Sequence, residues 1–130
     1  MSVDTMARLF ELKNIAGVKD ATGDPNRIDA TLKKLGPDFI QLTGEDGFAL
    51  EFNRRGGVGI ISVTANIAPK LCSDFQKYSK SKTDNEIKEA ERIDQILQPV
   101  HKSLFIESNP APVKYAAKLL GLCGDEIRPV

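Results

Sequence analysis

A short apolar run ends on a lysine and leads into a turn in the stretch Asn14-Ile15-Ala16-Gly17-Val18-Lys19-Asp20-Ala21-Thr22-Gly23-Asp24-Pro25. The run Ile15–Lys19 has the β-branched and small residues of a buried strand, and Asp24-Pro25 is typical of the N-cap and first residue of a helix. A lysine at a strand end is by default a solvated surface charge. An amine held there over an apolar surface can instead lose its proton and attack a carbonyl carbon.

Two further strand-and-helix pairs follow this stretch. Phe39–Leu42 and Val58–Val63 are apolar runs, and the helix predicted after the second of them extends from about Ala68 to Tyr78. The pairs Gly36-Pro37 and Gly56-Gly57 separate each helix from the next strand. Apolar strands that alternate with helices are typical of a parallel sheet covered by helices.

The second part of the chain has the pattern of helices only. Thr83-Asp84-Asn85-Glu86 has the form of a capping box that opens a long amphipathic helix. A last helix is predicted to begin at Asn109-Pro110 and to end before Gly121, and an initial helix, Val3–Leu12, precedes the first strand. These helices are expected to supply packing surfaces.

Three parallel strands leave two unpaired edges, which a compact protein does not normally expose. The chain opens on a helix with no strand before it and ends at Ile127-Arg128-Pro129-Val130 without a stop signal. A closed TIM (β/α)8 barrel has about 250 residues. We therefore predict an α/β fold that is the C-terminal half of such a barrel. Residues 1–79 would form a partial barrel with strands six to eight, and residues 80–130 a truncated C-terminal helical region.

Composition excludes several classes of function. The 130 residues include 18 Lys+Arg and 18 Asp+Glu, and this balance gives no electrostatic reason to expect nucleic acid or an anionic membrane as a partner. Cys72 and Cys123 lie outside any CxxC motif or histidine cluster, so free thiols in a reducing compartment are expected. No segment has the length of a membrane span or the pattern of a signal peptide, and a cytoplasmic location is predicted.

Four segments in order along the chain resemble dihydrodipicolinate synthase, also called 4-hydroxy-tetrahydrodipicolinate synthase. The segment Ile15–Gly23 is similar to the Schiff-base segment of that family, and Thr43-Gly44-Glu45-Asp46 is similar to the turn after its seventh strand. Gly57–Asn66 resembles its eighth strand, and Glu107–Ala116 resembles its Asn-Pro-x-Pro-Val-Lys helix start. The lysine segment is shared with related pyruvate aldolases, whereas the last two segments favour the synthase.

The resemblance implies a role for three residues and a reaction. Lys19 would form the Schiff base with pyruvate, and the Ile61 backbone carbonyl would face the pyruvate site. Gly44 would line that site, although a glycine needed only for the turn is an equally good interpretation. The family condenses pyruvate with aspartate semialdehyde to 4-hydroxy-tetrahydrodipicolinate, in lysine and diaminopimelate biosynthesis. The resemblance implies no cofactor, and a homo-oligomer for the full-length proteins.

Two alternatives stay open at this stage. One is a sibling pyruvate-dependent aldolase, similar to N-acetylneuraminate lyase or to 2-keto-3-deoxy sugar acid aldolases. The other is a non-catalytic remnant that only associates with other chains. The family's threonine pair, its strand-end tyrosines and its carboxylate-binding arginine have no counterpart here, and Tyr78 and Tyr115 fall on predicted helices. Activity of these 130 residues alone is therefore expected to be absent.

The remaining polar candidates have structural interpretations. Asp46 is predicted to cap the following helix, with Glu45 left solvated. His101, the only histidine, has no cluster of ligands at suitable spacing, so a surface or packing role is expected and no metal site is predicted. The hydroxyls of Ser62 and Thr64, at the exit of the third strand, could contact a ligand.

Overall fold

A computed structural model describes residues 1–124 and 126. The segment Ile127-Arg128-Pro129-Val130, in which the sequence shows no stop signal, lies outside the described residues. The chain forms two compact units, Met1–Ile61 and Ser62–Val130. The predicted boundary between a barrel segment and a helical region after residue 79 stays a prediction.

The first unit alternates helices and strands in the predicted order. Its elements are α1 (Val3–Phe10), β1 (Gly17–Asp20), α2 (Pro25–Leu35), β2 (Ile40–Thr43), a 3-10 helix (Asp46–Phe48), α3 (Ala49–Arg54) and β3 (Gly59–Ile60). The strands form one parallel sheet in the order β1-β2-β3. Within the described part of the chain, β1 and β3 each pair with β2 alone, so the prediction of two edges without a partner strand is confirmed for these residues.

Helix α2 begins and ends where the sequence predicts. The Asp24 side chain accepts a hydrogen bond from the Asn26 amide at 2.9 Å, and Pro25 is the first helical residue. Gly36 follows the last turn with a φ of +81°, a conformation that favours glycine. The Ile28 side chain is buried and helps to form the core between the helix and the sheet. This helix therefore fixes the loop that follows β1.

The third strand is shorter than predicted. Regular pairing covers only Gly59–Ile60 of the run Val58–Val63. The Val58 amide donates to the Gln41 carbonyl at 3.0 Å, and the Ile61 amide donates to the Thr43 carbonyl at 2.9 Å. The predicted strand is wrong beyond this point because Val63 adopts helical dihedral angles and leads into a 3-10 helix. The apolar composition of the run does not reflect burial in this chain, since the side chains of Val58 and Ile61 are 47% and 50% exposed.

The second unit consists of helices and their connecting loops, with no strand among its described residues. It contains a 3-10 helix (Thr64–Asn66), α4 (Pro69–Tyr78), α5 (Asp84–Ser103) and α6 (Ala111–Leu119). Helices α4 and α5 pack together. The predicted apolar face of α5 is confirmed by the burial of Ala90, Ile93 and Leu97. Among the described residues, no helix combines the length and the apolar character needed to cross a membrane.

The start of α5 is correct, but its capping contacts differ from those predicted. Thr83 is the N-cap, yet its side chain accepts no bond from the first turn. Its hydroxyl instead donates to the Glu86 carboxylate at 2.9 Å. The hydrogen bond from the Ser81 hydroxyl, and after it the one from Thr83, lowers the pKa of Glu86. The acidic residue of the motif thus stabilises the joint before the helix rather than an orphan amide.

Candidate active site at the carboxyl ends of the strands

The three residues assigned from the resemblance lie at the same edge of the sheet. Parallel pairing places Lys19 opposite Leu42 and Thr43 opposite Ile60. The ladder continues past the strand ends, since the Gly44 amide donates to the Asp20 carbonyl at 2.6 Å. Lys19, Gly44 and Ile61 therefore lie at the carboxyl ends of β1, β2 and β3. In barrels built from such strands this edge holds the active site.

Lys19 and Gly44 approach each other closely. A Cβ placed on Gly44 would lie 2.5 Å from Lys19 Cε and 3.5 Å from Lys19 Nζ. The lysine side chain therefore lies across the backbone of Gly44, where only a glycine leaves room for it. A third contact, 3.0 Å to the Ala21 Cβ, closes the other side. This contact is with the lysine itself, so both interpretations of Gly44, as a lining of the pyruvate site or as a glycine needed only for the turn, stay predictions.

Ile61 is held at the sheet edge by a hydrogen bond to β2. Its amide donates to the Thr43 carbonyl, and its side chain is 50% exposed. Lys19 is also exposed, although it lies against Gly44. The strand edge is therefore accessible to water in this chain. The catalytic and binding roles of Lys19, Gly44 and Ile61 stay predictions.

The acidic pair after β2 behaves differently from the prediction. Glu45, which is half-buried, occupies the N-cap position of the 3-10 helix and its side chain makes no capping bond. Asp46 is the first residue inside that helix and is buried, with 3% of its surface exposed. The assignment of Asp46 as N-cap is wrong because the helix begins one residue earlier and as a 3-10 turn.

A polar network directly after Lys19 was not predicted from the sequence. Asp20 Oδ1 accepts hydrogen bonds from the amide and the hydroxyl of Thr22 at 2.8 and 2.6 Å, and Oδ2 accepts one from Arg27 Nε at 2.8 Å. Burial opposes ionisation of this carboxyl, but the bonds from Thr22 and Arg27 outweigh it and lower the pKa of Asp20. The signal in the sequence was Asp20 two residues before Thr22, the spacing of a side-chain-stabilised turn.

The histidine is part of the core of the second unit. His101 is buried, and its Nδ1 lies 2.6 Å from the hydroxyl of Thr64, which is completely buried. The packing role expected for His101 is confirmed. Thr64 is committed to this contact, and the Ser62 hydroxyl accepts a hydrogen bond from the Ala65 amide at 2.9 Å. Both hydroxyls therefore have structural partners within the unit.

Comparison with known proteins gives a consistent result. The model of the dihydrodipicolinate synthetase family matches residues 1–129. The 4-hydroxy-tetrahydrodipicolinate synthase of Pelagibacter ubique is 73% identical over 98% of this chain and 44% of its own length. The enzyme of the same name from Parvibaculum lavamentivorans is 53% identical over 98% of this chain and 43% of its own length.

Solved structures agree with the sequence comparisons. Dihydrodipicolinate synthase from Acinetobacter baumannii, in a structure complexed with pyruvate, superposes with a TM-score of 0.90 at 41% identity. That match covers 98% of this chain and 43% of the A. baumannii chain. The present chain thus spans less than half the length of the relatives that it matches. On the family match across nearly all of its residues, the chain belongs to the dihydrodipicolinate synthetase family.

Proposed function

We propose that this chain carries the Schiff-base strand of a 4-hydroxy-tetrahydrodipicolinate synthase, a lyase, and that Lys19 is the residue that binds pyruvate covalently. One observation carries the proposal: in a member of this family, Lys19 lies at the carboxyl end of β1 with its side chain across Gly44. The pyruvate complex of the A. baumannii relative supports pyruvate as the first substrate.

The proposed reaction begins with attack of the neutral Lys19 amine on the keto carbon of pyruvate. Loss of water gives an iminium, whose positive nitrogen withdraws electrons from the pyruvate methyl group. Removal of a methyl proton then gives an enamine, which adds to the aldehyde carbon of aspartate semialdehyde. Cyclisation by the amine of the second substrate releases 4-hydroxy-tetrahydrodipicolinate and regenerates the lysine.

The roles proposed for the other two residues require backbone atoms only. The Ile61 carbonyl would face bound pyruvate at the end of β3, while the Ile61 amide stays in the sheet through its bond to Thr43. Gly44 would leave room for the lysine at the end of β2. A rigid sheet edge suits these roles, because a reactive amine must be held in a narrow range of positions to be effective.

We propose that turnover requires more of the family's length than this chain spans. A neutral amine is favoured by removal from water, and Lys19 is exposed here. A proton relay is also needed, and the two tyrosines, Tyr78 and Tyr115, lie on α4 and α6 rather than at strand ends. The remaining part of a TIM barrel, present in the longer relatives, would supply both the burial and the relay.

Reduction with borohydride tests the proposal. Hydride adds to the iminium carbon and converts the reversible adduct into a stable secondary amine on the lysine. We expect the unaltered chain to gain one pyruvate-derived adduct, and Lys19→Arg to gain none. Lys33→Arg is the matched control, because Lys33 is an exposed lysine of the same unit on α2. Equal labelling of Lys19→Arg and the unaltered chain would contradict the proposal.

The second substrate is tested separately from the Schiff base. The chain would be joined to the N-terminal portion of the Pelagibacter ubique enzyme, which is 73% identical to it in the shared part. We expect consumption of aspartate semialdehyde that disappears in Lys19→Arg. Consumption of a sugar-like aldehyde instead would leave Lys19 as the Schiff-base residue and assign the chain to a sibling aldolase.

A further inference from the structure

The carboxylate next to Lys19 faces the other side of the sheet. Successive residues of a strand point to opposite faces, so the side chains of Lys19 and Asp20 diverge. The Asp20 carboxylate binds Arg27 of α2 at 2.8 Å. Thr43, its partner in the register, is buried. Asp20 is therefore on the helix-covered face and does not reach a molecule bound at Lys19.

The side chain of Asp20 ties the end of β1 to the loop and helix that follow. Its two oxygens accept three hydrogen bonds, two from Thr22 and one from Arg27. Arg27 also donates through Nη2 to the Met1 carbonyl at 3.0 Å. The Asp20 side chain is only 15% exposed, and hydrogen bonds to a charged group under such conditions are among the stronger ones in proteins.

The backbone of Asp20 holds the residue across which the lysine lies. Its carbonyl accepts the Gly44 amide at 2.6 Å, one position beyond the regular pairing of β1 and β2. Asp20 therefore has two effects on the geometry around Lys19. As the next residue in the chain it orients the peptide bond that follows Lys19, and its carbonyl sets the position of Gly44 beneath the lysine side chain.

We propose that Asp20 is a positioning residue for Lys19: the bonds from Thr22 and Arg27 hold the end of β1, and the held carbonyl keeps Gly44 in contact with the lysine. The inference rests on the proposed Schiff-base role of Lys19 for its functional meaning. The geometric part of the proposal is that the contact between Gly44 and Lys19 depends on the Asp20 carboxylate, and this part does not require pyruvate to bind. Since its carboxylate is bonded by Thr22 and Arg27 on the face away from Lys19, Asp20 takes no part in proton transfer to the substrate.

Hydrogen exchange tests whether the Asp20 carboxylate holds Gly44 in place. Asp20→Asn keeps the shape of the side chain but replaces one acceptor oxygen with an amide group that cannot accept from Arg27. We expect the Gly44 amide to exchange about ten- to a hundredfold faster, the factor that corresponds to one lost hydrogen bond to a charged group. The Ile40 amide, bonded to the Ala16 carbonyl at 3.0 Å at the other end of the same ladder, should exchange at the original rate.

A control variant separates this effect from the loss of any ion pair. Glu51 binds Arg55 at 2.7 Å within the same unit but away from the strand ends. Glu51→Gln should leave the Gly44 and Ile40 amides unchanged. Thr22→Val keeps the Asp20–Arg27 pair and the bond from the Thr22 amide, and removes the hydroxyl together with its bonds to Asp20 and to the Asp24 amide. It should give a smaller acceleration at Gly44. Unchanged Gly44 exchange in a folded Asp20→Asn protein would overturn the proposal.

Pyruvate trapping tests whether Asp20 positions Lys19 for reaction with pyruvate. In Asp20→Asn we expect the limiting rate of borohydride trapping on Lys19 to fall by about ten- to a hundredfold, as for the loss of one such hydrogen bond. The pyruvate concentration for half of that rate should stay the same, because Asp20 does not touch pyruvate. An unchanged limiting rate would contradict the positioning role. If the unaltered chain traps no pyruvate on Lys19, the proposed function fails, while the exchange experiment still decides whether Asp20 holds Gly44.

Discussion

The contact between Lys19 and Gly44 makes Gly44→Ala the most informative substitution at the site. The added Cβ would lie 2.5 Å from Lys19 Cε, whereas an ordinary contact begins at 3.4 Å. The lysine therefore has to retreat by about 1 Å, and a misplacement of about 1 Å at a reacting group can cost about a hundredfold in rate. We expect pyruvate trapping on Lys19 to slow by about that factor.

The same substitution should have little effect on stability. The displaced atom is the far end of a flexible, exposed side chain, and only the Ala21 Cβ, at 3.0 Å, has to give by a few tenths of an ångström. Alanine also lowers the entropy of the unfolded chain relative to glycine. We therefore expect the free energy of unfolding, measured in urea, to change by no more than about 1 kcal/mol.

Two further variants complete the design. Gly124→Ala is the control, since its new Cβ meets nothing within 4 Å, and both stability and trapping should stay unchanged. Ala21→Gly, combined with Gly44→Ala, relieves the contact with the Ala21 Cβ but not the contact with the lysine, so trapping should stay slow. Trapping at the original rate in a folded Gly44→Ala protein would refute the claim that Gly44 sets the position of the amine.

Four other predictions concern acid stability, the buried histidine, turnover and association. Because folding lowers the pKa of Asp20, its carboxylate stabilises the fold fully above the ordinary pKa of 3.8 and loses that contribution as the pH falls further. Urea unfolding should therefore show Asp20→Asn less stable than the unaltered chain at about pH 6, with the difference shrinking towards about pH 3. Thr64→Val should lower the free energy of unfolding by about 1–3 kcal/mol, because a buried hydrogen bond to His101 is lost; an unchanged urea midpoint would refute its importance. A coupled reductase assay should detect no turnover by the chain alone, and turnover that survives purification and vanishes in Lys19→Ala would contradict the need for the longer relatives' remaining residues. Sedimentation should reveal dimers or larger assemblies, because β1 and β3 have open edges among the described residues and Ile61 is exposed beside them; a cooperative monomer at micromolar concentration would be the opposite result.

Much of the fold was predictable because its signals are local. Asp24-Pro25 and Gly36 define both ends of α2 through capping and a left-handed turn, which are properties of those residues themselves. The apolar stripe of α5 likewise needs only helical spacing. The extent of β3 was not predictable in this way, because Val63 is compatible with a strand and leaves it only under the packing of the following turn.

The candidate site, like the fold, could be predicted only in part from the sequence. Lys19, Gly44 and Ile61 were assigned by the resemblance to a family, and their placement at one sheet edge follows from parallel pairing. The contact of Lys19 with Gly44 joins residues of different strands and requires coordinates. The bond between His101 and Thr64 spans 37 positions, so no local pattern could indicate it.

Peptide mapping of the borohydride-reduced pyruvate adduct shows directly which lysine of the chain binds pyruvate. The chain offers many exposed lysines as internal competitors, all treated with the same reagent in the same tube. We predict that the adduct is found on the peptide containing Lys19 and not on the others. An adduct spread over several lysines, or absent from all of them, would mean that Lys19 is an ordinary solvated amine and would refute its assignment as the Schiff-base residue.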